Sequence, residues 1–205
     1  MTLETRPKHP RPARRGASAA IALAAAALAG CGGGGSNPFD NPSNVNNLTT
    51  NGGQTLAFAY FQKCIQPILT TRSCAASGCH DNITGTGGAL RLIGGAAPID
   101  LSIAANTPEV IRTNDMYKNF YSAQGSSIIG SAAQSKLLLK PLVQRVLHGG
   151  GLIFSDSQDP NVKLMEYWIN RPLPLGQNEF SSASYSMFTP AFDPANPAAS
   201  ACNTQ

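Results

Sequence analysis

The sequence predicts a mainly α-helical domain with long loops and an extended C-terminal tail. Three observations carry that prediction. Apolar residues recur at spacings of three and four in several segments, as they do on a helix with one buried stripe. One such segment has Pro108 in a first-turn position and another opens on Asp159-Pro160, both of which suit helix starts. The 20 glycines and 15 prolines among 205 residues call for many turns and some chain without regular structure. The length suits one domain that buries roughly 70% of its unfolded-chain surface, and is too short for two.

Charge is distributed unevenly. Residues 1–30 hold Arg6, Lys8, Arg11, Arg14 and Arg15 against Glu4, and the rest of the chain holds ten basic and ten acidic residues. That neutral remainder argues against nucleic-acid binding, which needs a basic face, and against a field that steers anionic partners. Residues 1–30 have the layout of a secretory signal: a basic start, an apolar run over residues 19–28, then small residues. The run is shorter than the about 20 apolar residues that cross a bilayer. Its end, Leu28-Ala29-Gly30-Cys31, resembles the lipobox of bacterial lipoproteins. The resemblance implies that Cys31 becomes the lipid-modified first residue, and Gly32 in place of an inner-membrane-retaining Asp implies outer-membrane attachment. Residues 31–53 follow as a flexible tether of Gly, Asn, Ser and Pro, spanning about 25 Å as a random coil.

The domain proper is expected over residues 54–171. Residues 55–70 carry Leu56, Phe58, Tyr60, Phe61, Ile65, Ile68 and Leu69, which predicts a helix that bends or stops near Pro67. Residues 83–98 are glycine-rich and read as loop, with one brief ordered piece at residues 89–93. Residues 108–121 read as a helix with Val110, Ile111, Met116, Tyr117 and Phe120 apolar. Residues 135–148, rich in leucine and broken by Pro141, are expected to be largely buried as two short helical pieces. Val162, Met165, Trp168 and Ile169 predict a helix over residues 162–170, capped by Asp159. Residues 172–205 read as an extended tail, packed on or pinned to the domain, rather than as a core element.

The five cysteines are Cys31, Cys64, Cys74, Cys79 and Cys202. Export places them in an oxidising compartment, where free thiols do not persist. Cys74-Ala75-Ala76-Ser77-Gly78-Cys79-His80 approximates the C-x-x-C-H run of c-type haem attachment, with four residues between the cysteines instead of two. Two other readings stay open: a local Cys74–Cys79 disulfide, or a structural zinc bound by Cys74, Cys79, His80 and His148. The glycines at 85, 87 and 88 precede no Gly-Lys-Ser/Thr and follow no strand, so a phosphate cradle is discounted.

Several motifs in order are similar to the cytochrome c-like domains of exported bacterial proteins, in particular planctomycete-type cytochromes. They are Cys64-Ile65-Gln66-Pro67-Ile68-Leu69, the Cys74–His80 run, Gly87-Gly88-Ala89-Leu90-Arg91-Leu92, residues 135–141, His148-Gly149-Gly150-Gly151 and Tyr167-Trp168-Ile169. The resemblance covers residues 55–171 and implies a cytochrome c-like fold with one covalent haem c on Cys74 and Cys79 and His80 as an iron ligand. For the second ligand His148 is placed ahead of Met116, because three glycines behind it let backbone approach a flat macrocycle. With Cys31 lipidated and Cys74 and Cys79 on haem, Cys64 and Cys202 are the thiols left to form a disulfide. Neither mature histidine is spare to activate a serine and no carboxylates pair by spacing, so no catalytic residue is expected. The function expected is single-electron transfer with a redox partner protein in the cell envelope, with contact to the membrane through the lipid. The alternative is a haem-free cytochrome-like interaction or anchoring module.

Overall fold

The structure, a computed structural model, describes residues 53–205. The signal sequence at 1–30, Cys31 and all but the last residue of the tether lie outside the described residues. The described chain is mainly helical: α1 (Phe58–Tyr60), α2 (Gln66–Thr71), α3 (Pro108–Ile111), α4 (Asp115–Gly125), α5 (Lys136–Leu139) and α6 (Pro160–Asn170), with a two-stranded antiparallel pair, β1 (Phe188–Thr189) and β2 (Ala201–Cys202). Among the described residues no helix is long and apolar enough to cross a membrane.

The first helical segment differs from expectation at both ends. Residues 55–57 are extended, because the Gln124 side chain binds the hydroxyl of Thr55 at 3.0 Å and the amide of Leu56 at 2.8 Å. The segment then continues past Pro67 to Thr71, rather than stopping. Between α1 and α2 the chain widens into a π turn over Phe61–Ile65, and the Gln66 amide reaches back to the Phe61 carbonyl. That wider pitch brings Pro67, which has no amide hydrogen to donate, into the first turn of α2, where proline is tolerated.

Helices elsewhere are shorter than the apolar pattern suggested. The expected helix over residues 108–121 is two, since Asn114 caps a fresh start by accepting from the Met116 amide at 2.9 Å. Of residues 135–148 only α5 is helical. Its continuation is only partly buried: Leu142 packs at the edge of the core, Val143 and Arg145 have positive φ of 52° and 63°, and Leu147 is 88% exposed. Pro141 cannot extend a helix that would carry these residues inward. Helix α6 starts as expected, the Asp159 carboxylate accepting from the Asn161 amide at 2.8 Å.

An aromatic core joins these pieces. Phe61 packs on Trp168 of α6 at 5.4 Å and on Phe120 of α4 at 5.6 Å. Phe58 reaches Tyr117 and Phe120, and the Trp168 indole donates to the Ala57 carbonyl at 3.0 Å. Such ring pairs add about 0.5–1.5 kcal/mol each beyond their buried area.

The C-terminal tail is part of this core, contrary to the sequence reading. Leu173, Met187, Phe188 and Phe192 are buried in it, Tyr60 packs at a tilt on Phe188, and Cys64 is joined to Cys202 by a disulfide. The tail lacks a helical period because it enters through single turns, each contributing one side chain. Its tightest polar anchor is Glu179, which is 2% exposed and accepts from Arg112 Nε at 2.8 Å and from Tyr117 Oη at 2.7 Å. Burial opposes the Arg112 charge, but the hydrogen bond and charge of Glu179 outweigh it and raise its pKa. Burial and the bond to Glu179 raise that of Tyr117 well above its ordinary value.

Glu179→Ala leaves a largely buried guanidinium and a buried phenol without their acceptor. The expected loss is about 3–5 kcal/mol in denaturant unfolding, the cost of breaking a buried pair. A loss below about 1 kcal/mol, the range of exposed pairs, would contradict this account of the tail.

Candidate functional site

The loop that carries Cys74, Cys79 and His80 is launched by the end of α2. The Cys74 amide bonds the Leu69 carbonyl at 2.9 Å and the Ser73 amide bonds Thr70 at 3.0 Å, the two bonds of a Schellman ending. Ser73 fills the left-handed position, with φ of 53°, where glycine is usual. The loop closes on itself through the His80 amide, which donates to the Cys74 carbonyl at 3.0 Å.

His80 is then gripped by the glycine-rich segment. Its carbonyl accepts from Leu92 at 2.7 Å, and the Cys79 carbonyl accepts from Gly87 at 2.7 Å. A side chain at Gly87 would lie 2.5 Å from His80 Nδ1 and 2.6 Å from the Cys79 oxygen, and one at Gly85 would strike Asp81 backbone at 2.4 Å. Both glycines are therefore required by contact rather than by turn geometry. Arg91 bonds the carbonyls of Asp81 and Gly85. The segment is pinned to α4 by Ser122, which accepts from the Arg91 amide at 2.6 Å, and by Asn119, whose carbonyl accepts from Ile93 at 2.7 Å.

His148 lies opposite. The two imidazole centres are 6.1 Å apart and their planes differ by 12°. His80 Nδ1 donates to the Leu90 carbonyl at 3.0 Å, and His148 Nδ1 donates to the Gly151 carbonyl at 2.8 Å. A carbonyl only accepts, so Nδ1 of each ring carries a hydrogen, and Nε2 is the nitrogen not taken by these bonds. Burial lowers the His80 pKa, the Leu90 bond opposes it, and the nearby charges of His148, Lys140 and Arg91 lower it further. Burial thus favours the neutral imidazole of His80, in a tautomer oriented by a backbone carbonyl.

The cysteines occupy the same loop. Cys74 is half-buried and Cys79 exposed, and neither is in a disulfide. The local Cys74–Cys79 bridge is therefore not formed. Burial raises the Cys74 pKa, with Cys79 adding to the effect. Among the described residues no three or more His, Cys, Asp or Glu side chains are grouped to hold a metal ion, so the four-residue zinc set is not assembled.

Met116 is 1% exposed and lies in the hydrophobic core, while His148 is the side chain that faces His80. Cys64 and Cys202 form their bridge away from this loop's thiols, between the π turn and β2. Sequence reasoning missed the roles of Asn119, Ser122 and the Leu90 carbonyl, because polar positions on a helix give no periodic signal of what they bind. A polar groove of about 880 Å³, lined by Lys163, Tyr167, Arg171 and Gln205 among others, contains none of the expected site residues. The chain matches no family model, and no curated protein or solved structure is significantly similar to it.

Gly87→Ala is expected to force the segment off His80, because both the ring and the Cys79 carbonyl stand in the way. Overpacking of this kind costs about 1–3 kcal/mol, and the imidazole signals of His80 should shift in NMR spectra. Unchanged stability and unchanged His80 signals would show that the glycine is not held by this contact.

Proposed function

We propose that the protein is a lipid-anchored, monohaem c-type cytochrome with a cytochrome c-like fold, passing single electrons to or from a partner protein in the bacterial envelope. The observation that carries this reading is the histidine pair. Two metal–nitrogen bonds of about 2 Å each, plus the distance from each nitrogen to its ring centre, place such rings about 6 Å apart. The observed 6.1 Å between near-parallel rings is compatible with that spacing and supports the reading.

The rest of the chain fits the same group. The free thiols of Cys74 and Cys79 stand in the loop that delivers His80, and each is suited to add its sulfur to a haem vinyl group, its proton going to the neighbouring vinyl carbon. Ile83, Val143, Leu147 and Leu152, all exposed, lie within five residues of one histidine or the other, and an apolar macrocycle would cover such side chains. A haem bound here supplies reversible one-electron exchange between ferric and ferrous iron. His80 and His148 would be its iron ligands, and two imidazoles would give a lower potential than imidazole with methionine.

Anchorage through Cys31 belongs to the same reading, since dual acylation gives stable membrane attachment where one chain is marginal. Matured in a host that attaches haem to control cytochromes, the full chain should gain the mass of one haem, and Cys79→Ala should lose it or hold it labile. An unmodified mass would overturn the haem reading and favour the haem-free interaction module.

A further inference from the structure

The two histidines are held in different ways. His80 is bonded through its amide, its carbonyl and its ring to residues 74, 92 and 90, and Gly87 lies against the ring. His148 rests on a loop that bonds mainly to itself. Its ring nitrogen and its carbonyl both bond to Gly151, three residues on. Among the described residues no hydrogen bond runs from residues 145–152 to the rest of the protein. The loop is fastened at its base instead, by the Gln144 amide to Leu139 at 2.9 Å and the Ile153 amide to Pro141 at 2.8 Å.

The loop is also strained and unpacked. Val143 and Arg145 have φ of 52° and 63°, a conformation in which a β-branched valine is an outlier. Leu147 is 88% and Leu152 60% exposed. His148 can therefore leave without breaking a hydrogen bond to the body of the protein, whereas His80 cannot. Three consecutive glycines after it supply the backbone freedom for that movement.

Resting on the haem reading, we propose that His148 is an exchangeable ligand, whose loop swings away from His80 to open one iron position to a small uncharged diatomic molecule. The exchange breaks the bond from His148 Nε2 to iron and forms one from the diatomic, with no change in electron count and His80 retained. Val146, Leu147 and Leu152 give the chain around His148 an apolar character, which suits an uncharged diatomic, whereas the charges of Lys140 and Arg91 that act on His80 would draw an anion independently of the loop.

The experiment uses the full, haem-loaded chain, reduced and mixed with carbon monoxide. The low-spin spectrum should convert to that of a carbon monoxide complex at a rate that levels off as the gas concentration rises, because departure of His148 sets the limit. His148→Ala should bind at a rate that keeps rising with concentration. Amide hydrogen exchange should be faster over residues 145–152 than at His80 and Leu92. A wild type that takes up no carbon monoxide while His148→Ala does would overturn the proposal and leave the haem reading standing. Protection of residues 145–152 equal to that of Leu92 would overturn it as well. Absence of haem by mass would overturn both.

Discussion

The pairing of residues 80–82 with residues 90–92 governs the rest of the site. The Leu92 amide bonds His80, the Asn82 amide bonds Leu92, and the Leu90 carbonyl fixes the His80 ring. Each of these contacts exists only because the intervening segment folds flat enough for Gly85 and Gly87 to touch the backbone beneath. Asn119 and Ser122 then transmit the position of this ladder to α4, and α4 transmits it to the aromatic core through Phe120. A buried imidazole with one nitrogen donated to a carbonyl has its tautomer decided before any ligand arrives, and the neutral form is favoured further by burial. Preorganisation of this kind lowers the cost of binding, since the ordering is done on folding.

Against that fixed half stands a half with fewer ties to the body of the protein. The described residues with positive φ other than glycine are Ser73, Val143 and Arg145, and all three lead into the loops that carry the two histidines. At Ser73 the conformation ends a helix with both backbone bonds satisfied, so that the Cys74 loop leaves α2 in one direction. At Val143 a similar pair of bonds, from Val143 to Lys140 and from Gln144 to Leu139, turns the chain outward. The same local device thus produces a loop locked by the glycine-rich segment in one case and a free-standing loop in the other. What differs is the presence of a second strand-like partner. Arg72 links the two regions, lying over the Phe154 ring at 5.3 Å and pairing with Asp159 at 3.4 Å, though an exposed pair of this kind contributes little to stability.

Much of this was legible in the sequence where a residue type allows few alternatives. Helix α6 was readable because an Asp-Pro start and an apolar stripe agree. The Cys64–Cys202 pairing was expected once Cys31 was set aside for lipid and Cys74 and Cys79 for haem, and His80 and His148 were singled out by the Cys74–His80 run and the His148-Gly149-Gly150-Gly151 element. The tail was misread because its buried side chains arrive through irregular turns, and burial without a period leaves no pattern to detect. Residues 140–148 were misread for the opposite reason. Their leucines and valines have the composition of a core, yet Pro141 and two left-handed residues leave Val143 and Leu147 exposed. The Glu179 anchor was invisible because its partners, Arg112 and Tyr117, lie over sixty residues away in sequence.

The central claim is that one iron is held between His80 and His148. Electron paramagnetic resonance of the ferric, haem-loaded chain tests it most directly, because the spectrum reports both ligand identity and the angle between ligand planes. With imidazole planes within 12° of each other, the account predicts a rhombic low-spin signal, lost in His148→Ala and kept in Met116→Ala. A high-spin signal in the wild type, or a low-spin signal that survives His148→Ala and disappears in Met116→Ala, would contradict it.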